Sequence, residues 1–228
     1  MAMISGLPIN GRAVTGRVSA VNWRQWAGIL IDVEPDAPPE GKADASKVRH
    51  SWLKQVRGEG NPCPQGANDL VVQQYAHLWY VLTKVVFSDA TGNSALWMFL
   101  ELLTNWDTQY SWGSAALAYL YRQLDLACRR KGDTSSLAGF VWGLSVWMWE
   151  RIPVGRPDFK NPEHPNPLRN HDGAHDDDPY RRPTVAYYWE RVTVYTGSSH
   201  VRYKCYMNKL DTLTAEQVHW LPYVDDRG

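Results

Sequence analysis

The stretch Ser136 to Arg151, SLAGFVWGLSVWMWER, decides the fold class. Leu137, Phe140, Val141, Trp142, Leu144, Val146, Trp147, Met148 and Trp149 leave no polar stripe at helical spacing, and a helix apolar on every face is expected at the centre of a core. Ser135 or Ser136 reads as its N-cap and Pro153 as its stop. Trp147 and Trp149 stand two apart and cannot share one helix face, so the helix is expected to be wrapped on several sides. The apolar run Leu137 to Trp149 falls short of the roughly 20 residues that cross a bilayer, so no membrane segment is predicted.

Working back toward the N-terminus, Tyr110 to Lys131 reads as the longest helix. Ser111 is its expected N-cap, Arg129, Arg130 and Lys131 place cations on its C-terminal dipole, and Gly132 ends it. Asn68 or Asp69 caps a helix running to Phe87, with Leu70, Val71, Leu78, Leu82, Val85 and Val86 as its buried face and Tyr75 and Trp79 flanking it. Ser88 to Asn93 is a turn, and Ser94 to Asn105 another helix. Lys42 to Arg57 fits a helix with the stripe Val48, Trp52, Leu53 and Val56. Its opposite face is basic: Lys42, Lys47, Arg49, Lys54 and Arg57. Gly58 to Gly66 is a loop, and residues 1–41 are mostly irregular, with a short strand at Gly28 to Val33.

Toward the C-terminus, seven prolines from Pro153 to Pro183 mark a linker. Residues 158–183 read as a flexible Pro/His/Asp-rich loop that includes HDGAHDDD, His171 to Asp178. Thr184 to Tyr195 fits strand or helix. Val201 to Leu213 is helical, and Thr214 with Gln217 forms a capping box. The expected architecture is mainly α: a compact single domain, residues 1–228, of five or six helices around 136–151. A minor β element would lie near 18–33 or 184–195.

Composition narrows the function classes. The chain has 12 Trp and 12 Tyr against 4 Phe, so most of its aromatics carry a polar atom that needs a partner when buried. That aromatic content excludes disorder. Lys+Arg and Asp+Glu are both 24, so there is no global attraction to nucleic acid or membrane. Cys63, Cys128 and Cys205 are odd in number and lack a CxxC, which reads as reduced thiols. Met1-Ala2-Met3-Ile4 lacks the basic start of a signal peptide.

Catalytic motifs are scarce. GxSxG, HExxH, Walker A and GxGxxG are missing from the sequence, and GLSVW at Gly143 lacks the second glycine of a nucleophile elbow. HDGAHDDD with His164 has ligands suited to first-row metals. Set among prolines and glycine it lacks the rigid frame a metal site needs, so a solvated loop without metal is expected. Asp89, Glu101 and Asp107 are the carboxylates a hidden hydrolase would use. The segment Tyr180 to Lys209 interleaves cations with aromatics, the recipe for single-stranded nucleic acid. Its contact candidates are Arg181, Arg182, Arg191, Arg202 and Lys204, and ordinary amphipathic packing is the competing reading.

Five segments carry a family resemblance. Tyr110 to Arg122, YSWGSAALAYLYR, resembles one signature of the plant mobile domain, a family labelled "aminotransferase-like". Trp147 to Pro157, WMWERIPVGRP, is similar to its second signature, WxWERhPhGRP. Gly6 to Gly16, GLPINGRAVTG, resembles its GLPhDGxxVTG segment. Val85 to Asn93 resembles hhFxDxxxN, and Leu210 to Tyr223 resembles the closing LxxLxxxxhxWxPY. The motif residues that stand out are Trp112, Gly113, Trp149, Glu150, Arg151, Gly155, Arg156 and Trp220.

The resemblance implies a nuclear, transposon-derived plant protein of the maintenance-of-meristems type. It would act in transposon silencing, gene-expression regulation and genome integrity, through protein partners such as a protein phosphatase 7-type phosphatase. It implies no enzymatic activity. Relative to the family the chain starts late, at about Ile4 within a strand-rich segment, and so reads as N-terminally incomplete. Pyridoxal phosphate chemistry would need a Schiff-base lysine and a phosphate cup. Of the eight lysines only Lys84 has an apolar context, and it lies in a helix without such a cup, so no cofactor is expected. A structural pairing of Glu150 with an arginine such as Arg156 is expected to fix the turn after the apolar helix.

Overall fold

A computed structural model describes residues 2–15, 19–38, 40, 44–56, 67–89, 91–105, 107–131, 136–157 and 198–220. In chain order the elements are α1 (Ala2–Ser5), α2 (Trp23–Ile31), β1 (Lys47–Arg49), α3 (His50–Val56), α4 (Ala67–Val81), a π-helical turn (Leu82–Val86), β2 (Ser94–Leu96), α5 (Trp97–Leu102), α6 (Trp112–Arg129), α7 (Val141–Arg151), α8 (Ser199–Asp211) and a 3₁₀ turn (Ala215–Gln217). The fold is mainly α with one two-stranded antiparallel sheet. The chain divides into two compact units, Leu7–Val141 and Met1–Gly6 with Trp142–Gly228.

In the first unit, the segment expected to be a strand at Gly28–Val33 is instead the second half of α2. Trp23, Ala27 and Ile31 are buried at a spacing of four, while Trp26 and Ile29 are 56% and 70% exposed. The buried set follows a helical period that a six-residue window conceals. The β element lies elsewhere, so the minor sheet does not fall at 18–33. Lys42–Arg57 is not one helix: Val48 is buried between exposed Lys47 and Arg49, the alternation of a strand. Ser94–Leu96 likewise precedes α5 as a strand rather than extending it. The pairs Lys47↔Leu96, Val48↔Ala95 and Arg49↔Ser94 hold the two segments extended. This pairing spans the chain and leaves no local signal.

α4 packs against α2, α3 and α5. Its core face is Tyr75, Ala76 and Trp79, continued by Leu82, Thr83 and Val86, whereas Val71 and Val85 are exposed. The aromatics expected on the flank therefore fill the centre. Each buried indole finds an acceptor: Trp23 donates to Asp44 Oδ2 at 2.8 Å, Trp79 to the Leu96 carbonyl at 2.7 Å, and Trp97 to the Ser19 carbonyl at 3.1 Å. Phe87 stacks on Phe99 with ring centroids 4.6 Å apart, and meets Tyr119 edge-on at 5.6 Å.

α7 starts at Val141, five residues later than the sequence suggests. Gly139 is tied to Ser88 in both directions, its N–H to the Ser88 carbonyl (2.8 Å) and the Ser88 hydroxyl to its own carbonyl (2.9 Å). That exchange keeps the preceding residues out of the helix. α7 is not wrapped on every side: Val146 is fully buried, yet Trp142 and Trp147 are 41% and 42% exposed. The Arg151 guanidinium lies 4.8 Å over the Trp147 ring, a cation–π contact suited to a half-solvated indole. α8 and the 3₁₀ turn form as expected, and the Thr214 N–H donates to Gln217 Oε1 at 3.0 Å. The 158–183 loop, HDGAHDDD, Thr184–Tyr195, Trp189 and Cys63 lie outside the described residues. Cys128 and Cys205 are free thiols, and no described helix is long and apolar enough to cross a membrane.

Candidate functional site

The family-like segments form joints within the fold. At the first, GLPINGR docks onto the start of α6. The exposed amides of a helix N-terminus need acceptors, and the Gly113 N–H finds the Pro8 carbonyl at 2.8 Å. Ser111 occupies the N-cap position without capping: its hydroxyl donates outward to the Ile9 carbonyl at 2.7 Å. Backbone bonds from Arg12 to Gln109 (2.8 Å) and from Ser111 to Arg12 (2.9 Å) close the joint. Gly113 allows this approach, because a Cβ there would stand 3.0 Å from the Leu7 carbonyl and from Ile9. Trp112, at its side, is tilted against Phe87.

The second joint surrounds His50, a buried polar residue with a Tyr80 ring edge-on at 5.3 Å. Its Nδ1 lies 2.9 Å from the Gly92 carbonyl and its Nε2 3.0 Å from the Thr83 hydroxyl. A carbonyl only accepts, so Nδ1 carries the proton in the neutral ring. The Thr83 hydroxyl has one proton and three acceptors in reach: Nε2, the Trp79 carbonyl at 2.7 Å and the Tyr80 carbonyl at 3.4 Å. Burial holds the His50 pKa below its ordinary value; the Gly92 carbonyl opposes this, and the Lys84 charge adds to it.

Lys84, the residue on which cofactor chemistry would turn, donates to the same Gly92 carbonyl at 2.6 Å. Asp89 organises the turn that presents it, accepting from the Thr91 hydroxyl (2.9 Å) and from the Gly92 amide. Burial alone would raise the Asp89 pKa, but these hydrogen bonds outweigh it and hold the carboxyl below the usual range. The segment similar to hhFxDxxxN is thus the turn that satisfies a buried histidine. His50 and Thr83 went unnoticed in the sequence, because nothing local marks their convergence across 33 positions.

The third joint lies in the other unit. Gly155 has φ +70°, and a Cβ there would stand 3.1 Å from the Tyr206 ring of α8. The Arg151 carbonyl accepts the His219 N–H at 2.9 Å, so the WERIPVGRP and closing signatures meet in space. Glu150 is half-buried and Arg156 exposed, and both are engaged in contacts. Trp149 is half-buried, and Trp220, beside His219, is 71% exposed.

The nucleic-acid candidates are divided. Arg181, Arg182 and Arg191 lie outside the described residues. Arg202 and Lys204 are on α8, where Arg202 lies 5.5 Å over the Tyr206 ring and Lys204 is exposed. Of the hydrolase carboxylates, Asp89 is committed to its turn, and Glu101 has a buried Oε2 with no hydrogen-bond partner among the described residues. Among the described residues no three His, Cys, Asp or Glu side chains group as a metal site.

One open cleft of about 660 Å³ lies in the first unit, lined by Arg24, Asp36, Asp44, Lys47, Val48, Arg49 and neighbouring polar residues. Arg24 and Asp44 are paired at 2.6 Å.

The model of the plant mobile domain family matches residues 1–228. The chain is 28% identical over 232 residues to Protein MAIN-LIKE 2 of Arabidopsis thaliana, covering 100% of this chain and 31% of that protein. It is 27% identical over 226 residues to the Serine/threonine-protein phosphatase 7 long form homolog of Arabidopsis thaliana, covering 98% of this chain and 16% of that protein. With Protein MAINTENANCE OF MERISTEMS of the same plant it shares 26% over 192 residues, 82% of this chain and 35% of that protein. The chain therefore spans about a third or less of the length of these relatives. No solved structure gives a significant match.

Proposed function

The chain belongs to the plant mobile domain family, and on that premise we propose that it is a non-catalytic protein-interaction domain of a nuclear plant protein acting in transposon silencing and gene regulation. The observation that carries this reading is the use to which the motif residues are put. Ser111, Gly113, Asp89, Gly155 and the Arg151 carbonyl are spent on joining one segment of the chain to another. Motifs that hold a shape, rather than presenting reactive groups, suit a domain whose surface is its product. A relative named as a phosphatase 7 long form homolog carries a matching stretch, which supports a phosphatase of that type as partner.

The test is cross-linking and co-purification of the chain with a phosphatase 7-type protein and with plant nuclear extract. Stable capture of nuclear partners supports the reading. Turnover of a substrate by the isolated chain, or an absence of any specific partner, overturns it.

The rival reading, nucleic-acid binding through 180–209, draws on α8, where Lys204 stands next to the 62%-exposed Tyr203. A salt-dependent gel shift with single-stranded DNA, lost in Lys204→Glu, would establish it.

A further inference from the structure

β1 is an unpaired sheet edge. In an antiparallel pair, residues alternate between those that bond to the partner strand and those whose N–H and C=O point away. The Trp97 N–H bonds to the Ser46 carbonyl (2.9 Å) and the His50 N–H to the Asn93 carbonyl (2.9 Å), so Ser46, Val48 and His50 are the residues facing β2. The N–H and C=O of Lys47 and the N–H of Arg49 therefore point to the opposite edge, where no backbone partner is found among the described residues, while the Arg49 carbonyl heads α3. The outer edge of β2 differs, because the Trp79 indole occupies the Leu96 carbonyl.

The side chains of Lys47 and Arg49 share one face of the strand, are exposed, and form no ion pair among the described residues. Both line the open cleft, with Ser51, Asn93 and Ser94 beside them. Arg24 and Asp44, also in the lining, neutralise each other at 2.6 Å. Among the described lining residues that leaves two strand cations against the carboxylate of Asp36.

We propose that the β1 edge is a docking site for an extended acidic peptide of a partner protein, which adds as a third strand. This rests on the interaction-domain reading and gives it a surface. The residue of the incoming strand paired with Lys47 would exchange two backbone hydrogen bonds with it, and the one paired with Arg49 would accept from its N–H. Their side chains, two positions apart, would lie on the same face as the two cations. The preferred ligand thus alternates, with an acid at every second position and an uncharged residue between. Backbone bonds supply affinity and the cations supply selectivity, as in strand-addition recognition.

The probe is a short fluorescein-labelled peptide of alternating glutamate and valine, followed by anisotropy at low salt. Comparison peptides carry lysine for glutamate, or N-methyl groups on alternate amides. The expected result is saturable binding that weakens about tenfold or more in Lys47→Glu/Arg49→Glu, in the N-methylated peptide and in the lysine peptide, and that falls with added salt. Amide hydrogen exchange at Lys47 and Arg49 slows in the complex. Circular dichroism confirms that the variant, altered only at exposed side chains, keeps its fold.

Binding unchanged within twofold in the variant or in the N-methylated peptide overturns the proposal, as does no binding at all. Preferential binding of a labelled oligothymidine through the same two cations also overturns it. Nuclear partners captured equally by wild type and variant would remove this surface while leaving the interaction-domain reading in place; capture by neither removes the reading itself.

Discussion

Replacing Thr83 with valine tests the account of the His50 joint. Thr83 is 1% exposed, and valine keeps its shape while removing the hydroxyl that faces His50 Nε2 at 3.0 Å. Nε2 is left buried and without a partner, which costs about 1–3 kcal/mol. For a chain of this size each kcal/mol lowers Tm by about 2–4 °C, so Thr83→Val should melt about 2–12 °C below wild type. Urea unfolding should show the same loss at an unchanged m-value.

Thr83→Ser retains the hydroxyl and loses only a methyl, at about 1 kcal/mol. The decisive measurement is a double-mutant cycle with His50→Phe, which preserves the edge-on contact with Tyr80 but has no ring nitrogen. In that background the valine substitution should cost at least about 1 kcal/mol less. If the two substitutions are additive within about 0.5 kcal/mol, the hydroxyl does not serve His50 and the account is wrong.

Other outcomes follow from the same geometry. Gly155→Ala forces a side chain into the left-handed region and toward the Tyr206 ring, and should cost about 1–3 kcal/mol in denaturant unfolding. Because burial lowers the pKa of His50, the neutral ring favours the folded state. Its contribution is complete above the unfolded value of about 6.5 and is lost as pH falls below that through the folded value. Thermal melts between pH 7 and pH 5 should show this loss, and His50→Phe should flatten it. The Asp89 contribution is present above its unfolded value of about 3.9 and disappears only as pH falls further, so the two phases separate on the pH axis. Trp23→Phe removes the indole donor to Asp44; the exposed carboxylate keeps Arg24 and the Ser46 amide, so the lost bond should cost only about 0.5–1.5 kcal/mol in urea melts.

The helices were legible wherever burial follows local period. α6, α8 and the 214–217 capping box could be placed from residue spacing, although Ser111 stands at the head of α6 without capping it. α2 could not, because its buried residues Trp23, Ala27 and Ile31 are diluted by an equally apolar outer face at Trp26 and Ile29. β1 and β2 were read as helix because a three-residue strand gets its stability from a partner 47 positions away, as in Val48↔Ala95. A local window holds no trace of that pairing. The apolar excess of α7 signalled burial too strongly: tryptophan tolerates partial solvation when a cation covers its face, as Arg151 does for Trp147. The motif residues were visible as a pattern, but their role as joints rests on carbonyls such as those of Pro8, Ile9 and Gly92, whose positions no side-chain alphabet encodes.

The π turn at Leu82–Val86 constrains how this chain can change length. The Phe87 N–H reaches back five residues to the Leu82 carbonyl at 2.7 Å, so the turn holds one residue more than an α-helix would use. The extra residue is taken up inside the turn; wound as a regular α-helix, the same residues would rotate everything beyond by about 100° and carry it on by about 1.5 Å. Phe87 would then turn away from Phe99, and the Asp89 turn would no longer meet His50. The fold therefore counts residues here. A residue inserted elsewhere in α4, with no second such turn to take it up, would unlock the aromatic stack and the histidine joint together.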